Sequence, residues 1–389
     1  MISVVIPAWS AAAHIPRTLA ALKACGIAGE IVVVVADSPD GVMPVGMHSQ
    51  DGRRARSRRG GRAAMFFSRP QHFPVLKPLF ERLGERQWPL ISGDWREVAD
   101  FAPDLVVACE PFPKVIRRLV PGAATLYLQS SFTDEFLNPR TFAPVADIAA
   151  VIGPEDRDRF ARAGIPDDRI WTVGAVPLDP LFLGTAPRPE FLPAEAGPLG
   201  RGKVVLFAPT FHPALSAAPM LGERAVESLR GDRDDVTVVI KPHPVTCAHQ
   251  PQWLAWWRRA AHDRPNVHLV ESAAADIVPL LAAADVLVTD CSNVMFEFLA
   301  VDRPIVLVEN PGRFSATGGF NPDALEWTHR EIGARVEDTA ELALAVARAL
   351  DGDDPARSAR AECRRRLFGE LTDGHALDRL VAQIESILG

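Results

Sequence analysis

The residues of this chain that could do chemistry follow short apolar runs. The run at 286–289 leads into Asp290, Ser292 and Asn293, with Glu297 one helical turn further on. These polar types are common at helix starts, so one interpretation is that they only cap the next helix. The other is a phosphate site, because the N–H groups and macrodipole of a helix N-terminus attract anions. Ser292 and Asn293 would then donate to phosphate, Asp290 would orient its neighbours, and Glu297 would accept ribose hydroxyls.

A second polar turn, Lys-Pro-His-Pro at 241–244, follows the apolar run 236–240. Lys241 and His243 would bring positive charge or hydrogen-bond donors suited to a diphosphate. The alternative is a rigid surface turn, stiffened by its prolines, with an incidental histidine. Thr210 is a weaker candidate donor at the end of another strand, and a plain turn explains it equally well.

His72 is the candidate base in the first half of the chain. It lies after the apolar run 64–67, at the point where a helix is expected to begin. There it would face a cleft from the side opposite Lys241 and His243. Held near an acceptor hydroxyl, it could act as general base, whereas a structural or merely exposed histidine is the alternative.

The elements that must position these residues alternate between short β-branched runs and longer amphipathic stretches. This alternation is typical of βαβ units and parallel sheets. We expect a Rossmann-like acceptor domain over 63–182, a Pro- and Gly-rich linker over 183–202, and a Rossmann-like nucleotide-binding domain over 203–389. The expected strands are 64–67, 105–108, 125–128, 148–151, 170–173, 203–208, 236–240, 267–270, 286–289 and 304–308. The expected helices include 75–82, 155–163, 339–350 and 375–388.

Two such domains place the carboxyl ends of both sheets at one crevice, where open α/β sheets bind ligands. The predicted fold class is therefore α/β of the GT-B arrangement. A short βαβ-like segment over 1–41 precedes the two domains, with strands near 3–7 and 30–35. An Arg- and Gly-rich stretch over 42–62 shows no apolar periodicity and is interpreted as a linker. Its arginines could hold the protein on anionic lipid or polymer; a solvated linker is the alternative.

Composition excludes several classes of protein. The chain has 389 residues, 48% apolar and 23% charged, and a formal net charge of -7, so it offers no general attraction for nucleic acid. Its five cysteines are scattered, which argues against a disulfide framework or a zinc site and fits a reducing compartment. No window approaches the roughly 18 apolar residues of a membrane span. We therefore predict a cytoplasmic protein without a nucleic-acid partner.

The turn at 241–244 and the block at 284–298 resemble the CDP-glycerol glycerophosphotransferase family, the teichoic-acid primases and polymerases. The segments 208–210, 173–179 and 332–342 fit the same family. The resemblance implies a transferase that moves an alditol phosphate from a CDP-activated donor to a hydroxyl of a polymer or lipid-linked acceptor. It implies that His243, Asp290 and Ser292 hold the CDP diphosphate. It also implies that no cofactor or bound metal is needed.

Three features depart from the family pattern. The family's Trp-His-Gly turn, whose histidine is the favoured base, corresponds here to 127–131, which contains no histidine. Either His72 supplies the base or catalysis is altered. Cys291 replaces the family's aromatic residue, and Asn293 replaces its second serine. The segments 3–9 and 30–37 resemble the start of a family 2 glycosyltransferase, which we interpret as an appended unit rather than a second active site.

The leading prediction is phosphotransfer from a CDP-alditol in the synthesis of a teichoic-acid-like, capsular or related cell-surface polymer. One alternative is a GT-B nucleotide-sugar glycosyltransferase or a UDP-sugar 2-epimerase-like enzyme. A Ser-Gly-Gly type turn would favour that alternative, and 291–293 lacks it. A further alternative is a non-catalytic nucleotide-binding subunit, which the missing Trp-His-Gly turn favours and the intact turns of the second domain oppose. Peripheral contact with a membrane through the arginine run is the less favoured alternative to a solvated linker.

Overall fold

The structure is a computed structural model that describes most of the chain after residue 60. The described residues are 4–8, 31–35, 47–48, 61–84, 89–110, 112, 115–133, 146–194, 196–198, 202–231, 233–315 and 320–388. Within them, the strands form a seven-stranded sheet, a six-stranded sheet and a separate parallel pair. The pair joins β1 (Val4–Ala8) to β2 (Ile31–Val35), with Val4 opposite Ile31.

The first large sheet has the strand order β3-β5-β4-β6-β7-β8-β9. All its neighbours are parallel except β3, which runs antiparallel to β5. The strands are β3 (Met47–His48), β4 (Ala63–Phe66), β5 (Leu90–Ser92), β6 (Leu105–Ala108), β7 (Ala124–Leu128), β8 (Ile148–Val151) and β9 (Ile170–Thr172).

The second large sheet is parallel throughout, in the order β12-β11-β10-β13-β14-β15. Its strands are β10 (Lys203–Phe207), β11 (Val236–Ile240), β12 (Val267–Leu269), β13 (Val286–Thr289), β14 (Ile305–Val308) and β15 (Ala334–Val336). All residues of β11, β13 and β14 are buried, as expected for parallel strands covered by helices on both faces.

Helices connect the strands and cover both sheets. In the first half they are α1 (Phe73–Gly84), α2 (Trp95–Phe101), α3 (Ile116–Leu119), α4 (Pro154–Arg162) and α5 (Asp179–Phe182). In the second half they are α6 (Ala218–Leu221), α7 (Ala225–Arg230), α8 (Pro244–His249), α9 (Pro251–Asp263), α10 (Val278–Ala283), α11 (Val294–Glu297), α12 (Leu325–Thr328), α13 (Thr339–Leu350), α14 (Arg357–Phe368) and α15 (Ala376–Leu388). None of the helices in the described residues is long and apolar enough to cross a membrane.

The last helix returns to the first sheet, which corrects the prediction that the second domain extends to residue 389. Leu380 and Ile384 of α15 are buried in the same core as strand β4. The carboxylate of Asp179 accepts hydrogen bonds from the backbone N–H groups of Ala376 and Leu377, at 3.0 and 2.8 Å. A helix was expected over 375–388 and is found over 376–388, but its location depends on these contacts with a residue about 200 positions away.

The remaining differences concern short strands and the linker. Strands β5 and β15, of three residues each, were not among the expected strands. Strand β3 lies inside the stretch 42–62 predicted to be a structureless linker, and its backbone extends the first sheet. The arginine run in that stretch lies outside the described residues.

Candidate functional site

A cavity of about 1200 Å³ lies between the carboxyl ends of the two sheets. Residues that follow β4, β6 and β7 form the first-domain wall, and residues that follow β10, β11 and β13 form the second. Seven of the predicted site residues line this cavity: His72, Thr210, Lys241, His243, Ser292, Asn293 and Glu297. The eighth, Asp290, does not line the cavity, although it directly follows strand β13.

Asp290 faces the protein interior. Its side chain is fully buried, and its carboxylate accepts backbone N–H groups of Thr210 at 2.9 and 3.1 Å, Ala217 at 2.8 Å and Cys291 at 2.8 Å. The guanidinium of Arg330 donates to its backbone carbonyl at 2.6 Å. Asp290 therefore joins the turns after β10 and β13, and it does not line the cavity. Its orienting role stays a prediction.

Lys241 and His243 lie side by side after β11. The side chain of Lys241 is 6% exposed, and burial lowers its pKa. Burial, then the charges of Lys241 and Arg69, lower the pKa of His243 to about 4, so its ring is neutral at physiological pH. Val245 donates its backbone N–H to Nδ1 at 3.2 Å, which places the ring proton on Nε2. His243 is therefore a neutral hydrogen-bond donor rather than a second positive charge.

The turn after β13 presents backbone donors. The N–H groups of Ser292, Asn293 and Val294 make no hydrogen bond to any described residue. The following helix α11 has only four residues before it tightens into a 3-10 turn. The macrodipole invoked from the sequence is therefore short, and the local N–H groups provide most of the attraction for an anion.

Asn293 connects the two domains instead of capping α11. Its Oδ1 accepts the Ser131 hydroxyl at 3.0 Å and the Phe132 backbone N–H at 2.7 Å. Its Nδ2 donates to Glu297 at 2.7 Å. The pKa of Glu297 is raised to about 7, mainly by burial and then by Asp276, with the Asn293 hydrogen bond opposing. Glu297 is thus only partly ionised near neutral pH, which reduces its repulsion of a nearby phosphate.

Replacing Asn293 with alanine is expected to lower the free energy of unfolding by about 1–3 kcal/mol, because the Phe132 N–H loses its acceptor. Urea denaturation measures this loss. Asn266→Ala is the control: its Nδ2 makes one hydrogen bond inside the second domain, to Val236 O at 2.8 Å, so we expect a smaller loss. Equal losses in the two variants would contradict a special role for the contact between domains.

Glu110 and Arg69 are charged residues of the first-domain wall that the sequence interpretation did not single out. Glu110 lies at the end of β6, and its carboxylate is 4.0 Å from Nδ1 of His72. Arg69, in the turn before His72, contributes to lowering the pKa of both His72 and His243. The signal for Glu110 was present in the sequence, because it follows a predicted strand at 105–108.

The turn at 127–131, where the family has Trp-His-Gly, has a structural role through Gln129. Its Nε2 donates to Ser131 O at 2.9 Å, and its Oε1 accepts the Ile152 N–H at 3.1 Å. Gln129 therefore holds the chain that presents Ser130 and Ser131 to the cavity. Among the described histidines of the first domain, His72 is the one that lines the cavity.

The sequence pattern of the family described as CDP-Glycerol:Poly(glycerophosphate) glycerophosphotransferase matches residues 154–386. No curated protein matches the chain by sequence. The match covers α4, the whole second sheet and most of α15, and so includes the turns at 241–244 and 284–298.

Among solved structures, the wall teichoic acid polymerase TagF is similar, with a TM-score of 0.65 and 12% identity over 85% of this chain and 89% of that one. A TagF variant soaked with CDPG gives a TM-score of 0.60 and 13% identity over 84% and 88% of the two chains. The UDP-GlcNAc 2-epimerase from Neisseria meningitidis, bound to UDP-GlcNAc, gives a TM-score of 0.55 and 12% identity over 83% of this chain and 99% of that one. These similarities confirm the predicted GT-B-like fold.

Proposed function

This chain belongs to the CDP-glycerol:poly(glycerophosphate) glycerophosphotransferase family, and on that basis we propose that it is an alditol-phosphate transferase. The donor is a CDP-activated alditol such as CDP-glycerol. The acceptor is a hydroxyl of a cell-surface glycopolymer or of a lipid-linked precursor.

The proposed reaction is a displacement at phosphorus. The acceptor oxygen bonds to the phosphorus that carries the alditol, and the bond from that phosphorus to the bridging oxygen breaks. CMP leaves with the bonding electrons, and the acceptor's proton passes to His72. Such transfers depend mainly on positioning and on stabilising charge on the phosphoryl oxygens.

The observation that best supports the proposal is that the ammonium of Lys241 is buried without an ion pair to a described carboxylate. Its ammonium is buried at the cavity wall, where it donates a hydrogen bond to Pro242 O at 3.2 Å. Among the described residues, the one titratable neighbour that influences its pKa besides burial is the Cys247 thiol, and no carboxylate forms an ion pair with it. A buried charge without a counter-ion is costly, and a bound diphosphate would supply the missing anion. His243 Nε2 and the N–H groups of 292–294 line the same cavity as further donors.

Replacing His243 with alanine is expected to weaken CDP binding about 10- to 100-fold, because it removes a hydrogen bond to a charged group. Isothermal titration calorimetry measures the change. His212→Ala is a matched control: its Nδ1 also accepts an N–H two residues on, from Ala214 at 3.3 Å, but it does not line the cavity. Unchanged CDP binding by His243→Ala would contradict the assignment of the phosphate site.

The alternative functions are distinguished by a thermal-shift panel of CMP, CDP, CDP-glycerol, CDP-ribitol, UDP and UDP-sugars. A ligand present at 100 times its Kd adds about 2.7 kcal/mol to the free energy of unfolding. Selective stabilisation by cytidine ligands supports the proposal, whereas selective stabilisation by uridine ligands favours a nucleotide-sugar enzyme. Cytidine binding without any transfer would favour the non-catalytic subunit.

Cellular location and contact with a membrane surface belong to the proposal as well. The scattered cysteines support a cytoplasmic location. The arginine run at 53–59 supports peripheral contact with an anionic surface. Co-sedimentation with anionic vesicles, compared between the natural chain and one with these arginines replaced, tests the contact.

A further inference from the structure

Ser68 holds the carboxylate of Glu110 in place at the first-domain wall. The backbone N–H and the hydroxyl of Ser68 donate to the two carboxylate oxygens, each at 2.5 Å. The Glu110 side chain is 13% exposed and lines the cavity. Because both oxygens are engaged by the turn after β4, the carboxylate keeps a defined position next to that turn.

His72 lies in the same turn with one ring nitrogen unpaired. Its Nδ1 is buried and makes no hydrogen bond within the described part of the chain. The nearest carboxylate oxygen is Oε1 of Glu110, at 4.0 Å. This separation exceeds a hydrogen bond, but catalytic hydrogen bonds are often long without substrate and shorten when substrate binds.

We propose that Glu110 is the positioning residue for His72, accepting a hydrogen bond from Nδ1–H so that the unprotonated Nε2 faces the acceptor hydroxyl. The proposal rests on the proposed function, in which His72 takes the acceptor's proton. The Glu110 carboxylate would orient the ring, select its tautomer and stabilise the imidazolium formed during transfer. It would not itself touch the reacting atoms.

The charges around His72 determine the direction of the expected pH effect. Burial is the largest influence and lowers the pKa of His72; Glu110 raises it, and Arg69 lowers it. The neighbouring thiol of Cys109 has a raised pKa and is neutral at the pH of interest. Removing the charge of Glu110 should therefore lower the pKa of His72 further, because the remaining influences all disfavour the imidazolium.

The test is Glu110→Gln, which keeps the shape and removes the charge. We expect kcat to fall about 10- to 100-fold with little change in KM for the donor, and the acidic limb of the kcat/KM profile to move about 1 unit lower. NMR titration of His72, assigned with His72→Gln, should show the same shift without any need for activity. Glu97→Gln is the control, since Glu97 also accepts a serine hydroxyl, from Ser92 at 2.6 Å, but does not line the cavity.

Ser68→Ala gives a second, milder variant, because it removes one hydrogen bond to Glu110 and keeps the charge. We expect it to lower kcat by a smaller factor and to shift the His72 titration less. An unchanged His72 pKa in Glu110→Gln would overturn the proposal, even if activity fell. If the natural chain transfers no alditol phosphate, the proposed function fails, while the NMR titration still tests whether Glu110 and His72 interact.

Discussion

Replacing His72 with glutamine is expected to lower kcat by about 10²- to 10⁴-fold, the range typical for loss of a general base. CDP binding should change little, because the proposed phosphate donors belong to the second domain. Steady-state transfer from CDP-glycerol measures kcat, and calorimetry measures CDP binding. The His72 side chain lines the cavity and is only 13% exposed, and its pKa is lowered mainly by burial, so the ring is unprotonated and able to accept a proton at neutral pH.

His262→Gln is the matched control for this variant. His262 is an exposed residue near the end of α9, so its replacement should leave kcat unchanged. If kcat of His72→Gln stays within about threefold of the natural chain, His72 is not the base. The reaction would then depend on positioning and electrostatics alone, consistent with the missing Trp-His-Gly turn.

Replacing Asp290 with alanine is expected to lower the free energy of unfolding by about 3–5 kcal/mol. The backbone N–H groups of Thr210, Ala217 and Cys291 would lose their shared acceptor, and each belongs to a residue no more than 2% exposed. A buried N–H without a partner costs about 1–3 kcal/mol. Urea denaturation followed by circular dichroism measures the change.

Asp338→Ala is the control for the Asp290 variant. The carboxylate of Asp338 also accepts backbone N–H groups, from Ala340 and Glu341 at 2.8 Å each, but it does so at the exposed start of α13. Losing such a helix cap costs about 1 kcal/mol. A similar loss in the two variants would contradict the view that burial makes the Asp290 hydrogen bonds more important.

Strand positions in the second domain were predictable because they depend on local composition. The runs at 236–240 and 286–289 consist only of Val, Ile, Leu and Thr, and the structure confirms both strands with those bounds. Helix α13 was predicted with equal accuracy, since Asp338 caps it and buried Leu342 and Val346 are spaced four residues apart. Strands β5 and β15 were missed because neither is a continuous apolar run: Pro89 precedes β5, and β15 contains the exposed Arg335.

The sequence alone determined which polar residues end the strands. The carboxyl ends of parallel strands share one edge of a sheet, so Lys241, His243 and Ser292 had to lie near one another. The tertiary structure decided where each side chain points and what it contacts. It directs Asp290 inward, joins Asn293 to Ser131 across the domains, and places Glu110 beside His72. These contacts join residues 38 or more positions apart, and only packing of the whole chain brings such residues together.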